Sequence, residues 1–424
     1  MEVSITDITE VEKEISINVP AGELVPHFEK AYIRHLPNIE IKGFRKGKAP
    51  LDLVKKIHGE SIEYNALDAV ANDVYRQIIE ERNIQPIGEP VLTDMDYRRG
   101  EAFRFKIKYE IKPSVDLKEY KGIEIEKVLH KVTDQELEDE ILRLRKANST
   151  LGEAESVADD EHVVTADVLE LDESGTPLIG KRNADMRFYL GDESLNPQIK
   201  DALQGTTIGT SRKLSLETKH EDHKHTNRLE FTVKKIEKVL LPEFNDELVK
   251  KTTKDKVSTV DEFRKLLRED LESYWKEQSE RKLVDAIINE IVKRHEIAIP
   301  ESLIKGVTDS LLEDVKNRQP NKKFPPEFNE ETFRKQNHGY AAFQAKWFLI
   351  RERILEAEAL TVEDADLERM AETDAPKMGI EKERLITFYK SSDAVKDRIL
   401  SEKLITLLKA KSNIKETVTE EVID

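Results

Sequence analysis

The stretch Ile41-Lys42-Gly43-Phe44-Arg45-Lys46-Gly47-Lys48-Ala49-Pro50 interrupts an otherwise regular pattern, and the domain around it can be read outward from that interruption. Two glycines four apart and a closing proline demand a tight exposed loop. Glycine enters the left-handed region without steric cost, and proline fixes its own φ. An aromatic and several cations sit at the tip. Between Lys42 and Lys56 lie Lys42, Arg45, Lys46, Lys48, Lys55 and Lys56, with Asp52 as the one carboxylate. An exposed Phe is costly to solubility unless a partner covers it. Arg and Lys pair with phosphate or acidic side chains while Phe fills an apolar notch. The combination suits a ribonucleoprotein surface; a solvated basic turn before a helix is the other reading. A nucleotide-cradling loop is excluded, because G-x-x-x-G-K-A has neither the spacing nor the Ser/Thr that would hold magnesium.

On the N-terminal side of the loop, Val3, Ile5 and Ile8, then Ile15, Ile17 and Val19, alternate as strands do. Leu24, Phe28, Tyr32 and Leu36 follow at helical spacing. Beyond the loop, the pattern predicts helices over Leu51–His58 and Ser61–Arg82, then strands over Val91–Asp96 and Ala102–Ile111. Residues 1–112 therefore read as a compact α+β domain. Residues 113–150 read as an extended linker running into a helix, which starts at the capping box Thr133–Glu136 and continues through Leu137, Ile141 and Leu144. Residues 151–240 are β-rich, with strands expected over Val163–Leu171, Met186–Leu190, Arg212–Leu216 and Arg228–Ile236 and one short helix over Pro197–Leu203. Residues 241–424 are almost wholly helical. A second capping box, Thr259–Glu262, opens a helix reaching His295, and further helices are expected to Arg318 and over Glu331–Ala359, Val362–Ala375, Lys382–Tyr389 and Asp393–Ala410. The polar, acidic tail from Ser412 is expected to fray. The fold class is multidomain α+β: an N-terminal α+β domain, an inserted small β-rich domain, and an elongated all-α C-terminal domain with arms.

Composition agrees with that division. The 424 residues are 38% apolar and 37% charged, which implies several domains and a large wetted surface. A net charge of −17 argues against coating nucleic acid, so the basic window would dock one small patch. The absence of cysteine excludes disulfides, thiolate catalysis and zinc–thiolate sites. Met1–Asp7 has no basic or apolar leader pattern, and no run approaches 18 apolar residues, so a cytoplasmic protein is expected. His220, His223 and His225 could share an ion, but among Lys and Glu they read as a solvated loop tip; no metal and no cofactor are expected.

The loop resembles the ribosome-docking signature of the trigger factor family, G-F-R-x-G-x-x-P, matched by Gly43, Phe44, Arg45, Gly47 and Pro50. The domain order is similar over the whole chain. The resemblance implies an ATP-independent chaperone that docks beside the ribosomal exit tunnel, on a ribosomal protein and adjacent RNA, through Phe44, Arg45, Lys46 and Lys48. Nascent or unfolded polypeptides would be its clients, and the family can self-associate as a homodimer off the ribosome. It also implies that residues 151–240 form an FK506-binding-protein-like prolyl isomerase, in which aromatic side chains desolvate the X-Pro amide and favour its twisted transition state. Here the corresponding positions are Val168, Leu178, Ile179, Leu195 and Ile199, so the framework is kept while the aromatic pocket is lost. Phe188, Tyr189 and Phe231 read as core. Candidate client-binding residues are Phe343, Trp347, Met370, Met378, Phe388 and Tyr389, with Leu385, Phe324, Phe328 and Phe348 as further exposed apolar candidates, because Met and aromatic side chains repack around varied surfaces. Ordinary core packing is the alternative for each. An active isomerase and a helical adaptor protein remain the competing functional readings.

Overall fold

The computed structural model describes residues 1–220 and 223–421, the side chains of 217–226 excepted. In chain order the elements begin with β1 (Glu2–Asp7), β2 (Glu12–Val19), α1 (Ala21–His35), α2 (Leu51–Glu81), β3 (Pro86–Asp96), β4 (Phe103–Ile111), β5 (Glu124–His130) and α3 (Asp134–Ala147). There follow β6 (Thr150–Ala154), β7 (His162–Leu171), β8 (Pro177–Tyr189), α4 (Pro197–Leu203), β9 (Ser211–His220), β10 (His223–Leu240) and α5 (Asp246–Thr253). The rest is α6 (Val260–Arg294), α7 (Glu301–Arg318), α8 (Glu330–Ala357), α9 (Asp364–Met378), α10 (Lys382–Ser391), α11 (Asp393–Lys411) and β11 (Asn413–Thr419). Contacts divide the chain into two compact units, Met1–Lys127 with Arg281–Lys415, and Val128–Glu280 with Glu416–Asp424.

In the first unit an antiparallel sheet of order β1-β2-β4-β3 carries α1 and α2 on one face. Alternation decides which face: Ile15, Ile17 and Val19 of β2 and Phe103, Phe105, Ile107 and Tyr109 of β4 are buried against Leu24, Phe28, Val54, Leu67, Val70 and Ile78. The two helices expected after the loop are one. Gly59 lies inside α2 with helical backbone, and its missing side chain makes room for Arg99, whose Nη2 would stand 2.3 Å from a Cβ there. The same unit holds a helical core in which Leu283, Ile287 and Ile291 of α6 meet Ile350 and Ile354 of α8 and Leu404 and Leu408 of α11. A smaller cluster joins Leu367 and Ala371 of α9 to Leu385 and Tyr389 of α10 and Ile399 of α11.

The tail also departs from expectation. Residues 413–419 do not fray; they form β11, which pairs with β5 inside what the sequence suggested was linker. The alternation in Asn-Ile-Lys-Glu-Thr-Val-Thr is hidden by its charge, yet Ile414 packs with Ile125 on the helical core. Backbone bonds Asn413 N to Ile123 O (2.8 Å) and Lys131 N to Thr419 O (2.8 Å) fix the two ends.

The second unit contains a five-stranded sheet of order β6-β10-β7-β8, with β9 also pairing β10. Its core is Val164, Ala166, Val168, Leu190, Leu203, Phe231, Val233 and Ile236. The capping box of α3 is formed as read, Thr133 accepting from the Glu136 amide at 3.2 Å and Glu136 accepting from the Thr133 amide at 2.8 Å. The reciprocal pair at Thr259 and Glu262 also forms, at 3.3 Å each way.

Candidate functional site

The loop between α1 and α2 is built to hold its tip outward. Gly43 and Gly47 have φ of +95° and +73°, which a side chain would strain. Gly47 has a second constraint, since a Cβ would stand 3.0 Å from the Pro37 backbone. Backbone bonds close two small turns, Phe44 N to Ile41 O (3.0 Å) and Lys48 N to Arg45 O (2.9 Å), and a third, Gly47 N to Ile39 O (3.0 Å), ties the loop across its base. Ile41 and Ala49 are buried at the base, while Lys42, Gly43, Phe44, Arg45, Lys46, Lys48 and Pro50 are exposed. Phe44 is 43% exposed. Among the described residues, no ion pair involves Lys42, Arg45, Lys46 or Lys48, so four cations and one aromatic ring face solvent together. Lys55 is spent otherwise: it pairs with Glu29 at 3.6 Å and lies 5.5 Å over the Tyr32 ring.

A polar cluster under the helices steadies this end of the sheet, and the sequence reading missed it. Glu63 of α2 is buried, accepts from the Tyr32 and Tyr97 hydroxyls (the latter at 2.8 Å), and pairs with Arg99 Nε at 3.3 Å. Burial, reinforced by the hydrogen bond to the Glu63 carboxylate, pushes the Tyr32 phenol up to about 12; the same two causes in the same order raise Tyr97. Both phenols therefore remain donors, which a buried carboxylate requires. The readable signal was Gly59: a glycine in mid-helix costs stability, and a close neighbour such as Arg99 explains it.

The apolar candidates of the helical region separate by exposure. Met378 (57%), Phe388 (61%) and Phe348 (44%) face solvent. Phe343 and Trp347 are half-buried against the α6–α8–α11 core, and Met370 against the α9–α10 cluster. Leu385 and Tyr389, read as exposed, are core residues instead; the Tyr389 hydroxyl donates to Asp374 at 2.9 Å. Phe324 and Phe328 stack on each other at 4.4 Å, with Lys316 above Phe324. Tyr340, on α8, is 54% exposed and was not singled out from the sequence.

In the β-rich region the five pocket candidates differ in burial. Val168 is buried within the core and Ile199 packs on it. Leu195 is half-buried, while Leu178 and Ile179 are solvent-facing on β8. The aromatic residues Phe188 and Phe231 pack edge to face at 5.6 Å inside the core, and the Tyr189 hydroxyl donates to Glu161 at 2.7 Å. The side chains of His220, His223 and His225 lie outside the described residues; among the described ones, no group of three metal-ligating side chains is assembled. No described helix is long and apolar enough to cross a membrane.

Comparison with known proteins adds to this geometry. Residues 1–144 match the family described as bacterial trigger factor protein (TF), and residues 259–410 match its C-terminus family. The trigger factor of Salinibacter ruber is 30% identical over 92% of this chain and 88% of its own length. That of Chloroherpeton thalassium is 31% identical over 90% and 89%. A solved trigger factor chaperone, studied for promiscuous substrate recognition in folding and assembly, is 21% identical with a TM-score of 0.49, covering 97% of this chain and all of its own.

Proposed function

The chain belongs to the trigger factor family, and from that membership we propose that it is an ATP-independent cytoplasmic chaperone docking beside the ribosomal exit tunnel through Gly43–Pro50. Family membership supports the chaperone function as such. The observation that carries the docking is the outward tip in which Phe44 shares solvent with Lys42, Arg45, Lys46 and Lys48, none of them held by a carboxylate. Phosphate oxygens of ribosomal RNA or acidic groups of an exit-tunnel protein would pair with the cations. An apolar notch would receive the ring.

Nascent polypeptides are the proposed clients. Phe348, Met378 and Phe388 offer separate exposed apolar points, with half-buried Phe343, Trp347 and Met370 behind them. Contacts of this size are each worth little and exchange quickly, so a client is released by its own folding and no nucleotide or other cofactor is needed. A homodimer off the ribosome is part of the same proposal. So is a working division into 1–112 (docking), 113–150 (linker and helix), 151–240 (isomerase-type) and 241–424 (client-holding).

The isomerase-type region is proposed to be weak or inactive. Its candidate positions are core at Val168, half-buried at Leu195 and Ile199 and solvated at Leu178 and Ile179, and none is aromatic, so they offer no aromatic wall for an X-Pro amide. The full chain should leave a proline-limited refolding reaction near its uncatalysed rate; strong acceleration would overturn this part. For docking, the intact protein and its Phe44→Ala/Arg45→Ala/Lys46→Ala variant should be co-sedimented with ribosomes. Binding lost in the variant, with an unchanged circular dichroism spectrum, is the expected result. Equal pelleting of both proteins refutes the docking site.

A further inference from the structure

Far from the docking loop, β4 ends against the start of α7, and that contact is unusually well determined. Glu110 sends both carboxylate oxygens to the first turn of α7. Oε1 accepts from the Glu301 amide at 3.0 Å, and Oε2 accepts from the Ser302 amide at 2.9 Å. A helix start leaves its first amides without partners and carries partial positive charge, so a bidentate carboxylate satisfies two donors and the dipole together. Pro300, immediately before the helix, supplies no side-chain cap, so the cap comes from a residue about 190 positions earlier in the chain.

The opposite side of the contact is fitted by shape. Gly88 on β3 has φ of +67°, and a Cβ there would stand 2.4 Å from the Ser302 Cβ and 2.9 Å from its Oγ. The Ser302 Oγ is buried with no hydrogen-bond partner, which shows how closely β3 covers it. Lys112, just past β4, pairs with Glu352 on α8. Around these points a cleft of about 440 Å³, lined by Gly88, Glu110, Ser302 and Lys305 among others, leaves the contact narrow.

We infer that Glu110 and Gly88 form a latch that fixes the α7–α8 hairpin to the N-terminal sheet, with Glu110 as the positioning residue. The narrowness gives the latch its weight. α8 is also seated in the helical core, on which Val115, Leu117 and Ile123 just after β4 pack, so the latch sets where the α7 end of the hairpin sits, and at that end the contact depends on its few specific bonds. Because α8 packs on α7 through Ile304, Ala341 and Ala345, whatever fixes α7 also fixes Tyr340 and Phe348. On the docking and client reading, on which this consequence rests, the latch holds a client-facing helix at one station relative to the docking loop.

The absence of native cysteine permits a direct test on the full chain. Glu101→Cys and Lys323→Cys, at exposed sites on the β3–β4 turn and the α7–α8 connection, would carry a fluorescence donor and acceptor. The parent should give one narrow distance distribution and slow hydrogen exchange at the Glu301 and Ser302 amides. Glu110→Ala should broaden the distribution and speed exchange at those two amides by about tenfold or more. Glu110→Gln, which keeps the size and one acceptor, should fall between. Gly88→Ala should broaden it from the other side, and adding Ser302→Gly, which removes the two atoms the new Cβ meets, should restore part of it, the strain of alanine at φ +67° remaining. Unchanged exchange and distances in Glu110→Ala would overturn the latch. No recovery at all with Ser302→Gly would put the whole effect in backbone strain at Gly88 and overturn the part of Gly88 in the latch. Neither readout involves ribosomes or clients, so this result and the docking result can fail independently.

Discussion

If the Gly43–Pro50 loop docks on ribosomes as proposed, ring and cations make two contributions that should separate experimentally, because salt acts on one and not the other. Consider first the cations. If Arg45, Lys46 and Lys48 each neutralise one phosphate, the logarithm of the binding constant should fall with the logarithm of salt at about 0.7–0.9 per contact, or roughly 2–3 in total. Raising monovalent salt from about 50 to about 200 mM would then weaken binding about 20- to 40-fold. Each single alanine at these positions should lower the slope by roughly 0.7–0.9. Phe44 behaves otherwise. Its ring is 43% exposed, leaving on the order of 90 Å² to be covered on binding, given about 200 Å² for a whole Phe. At ~25 cal/mol per Å² that is about 2 kcal/mol, or roughly a 30-fold loss of affinity in Phe44→Ala. The loss should be the same at every salt concentration. Fluorescence titration of labelled protein against ribosomes, over a salt series, measures both quantities. A change of slope in Phe44→Ala, or parallel salt lines for parent and Arg45→Ala, would refute the division of labour between ring and cations.

Other expectations concern stability. Glu63→Ala leaves two phenols and a guanidinium without their common acceptor, and should cost about 3 kcal/mol in urea unfolding of the first unit; a loss under about 1 kcal/mol would mean that water substitutes for the carboxylate. Asp167 of β7 is held well below the usual carboxylate range by its hydrogen bonds to Lys234 and Arg182 and by the Asp185 amide. A depressed carboxylate stabilises above its unfolded pKa, near 4, and that stability is lost as pH falls toward the folded value. Asp167→Asn should therefore flatten the acid side of the stability curve of the β-rich region, read from Phe231 ring signals by NMR; an unchanged acid limb would remove Asp167 as a cause. Ending the chain at Lys411 removes β11, and should lower stability by roughly 2–4 kcal/mol through lost burial of Ile414 and lost backbone bonds to β5. An unaffected urea midpoint would return the tail to the frayed state that its composition suggests.

What the sequence disclosed and what it hid follow from the range of each interaction. Period and capping are local, so α1, α4, α7 and the two capping boxes were legible to within a residue or two, and the loop declared itself through its glycines. Pairing between distant segments was not legible. The β5–β11 ribbon joins segments nearly 300 residues apart, and neither strand is apolar enough to announce itself. Gly59 was read as a break between helices because the residue that justifies it, Arg99, stands 40 positions away.

Exposure is the harder limit, and Leu385, Phe388 and Tyr389 show why. Helical phase alone puts Leu385 and Tyr389 on one stripe and Phe388 about 100° from Tyr389 around the helix. Phe388 also stands only about 60° from Leu385 on the other side, so these i, i+3 and i+4 positions fall within one face about 100° wide, and the sequence groups the three together. It does not say which of them are covered, because that depends on where α9 and α11 lie. In the structure those helices cover Leu385 and Tyr389 and leave Phe388 61% exposed. For a chaperone this is the deciding distinction, since an apolar residue serves a client only if the fold leaves it uncovered. Phe388→Ala should accordingly weaken capture of an unfolded client while leaving the urea midpoint within about 0.5 kcal/mol of the parent. Leu385→Ala should do the reverse, costing about 2–4 kcal/mol of local stability. If Phe388→Ala destabilised the fold as much as Leu385→Ala does, the exposed ring would be a structural residue and the client surface would have to be sought elsewhere, at Phe348 or Met378.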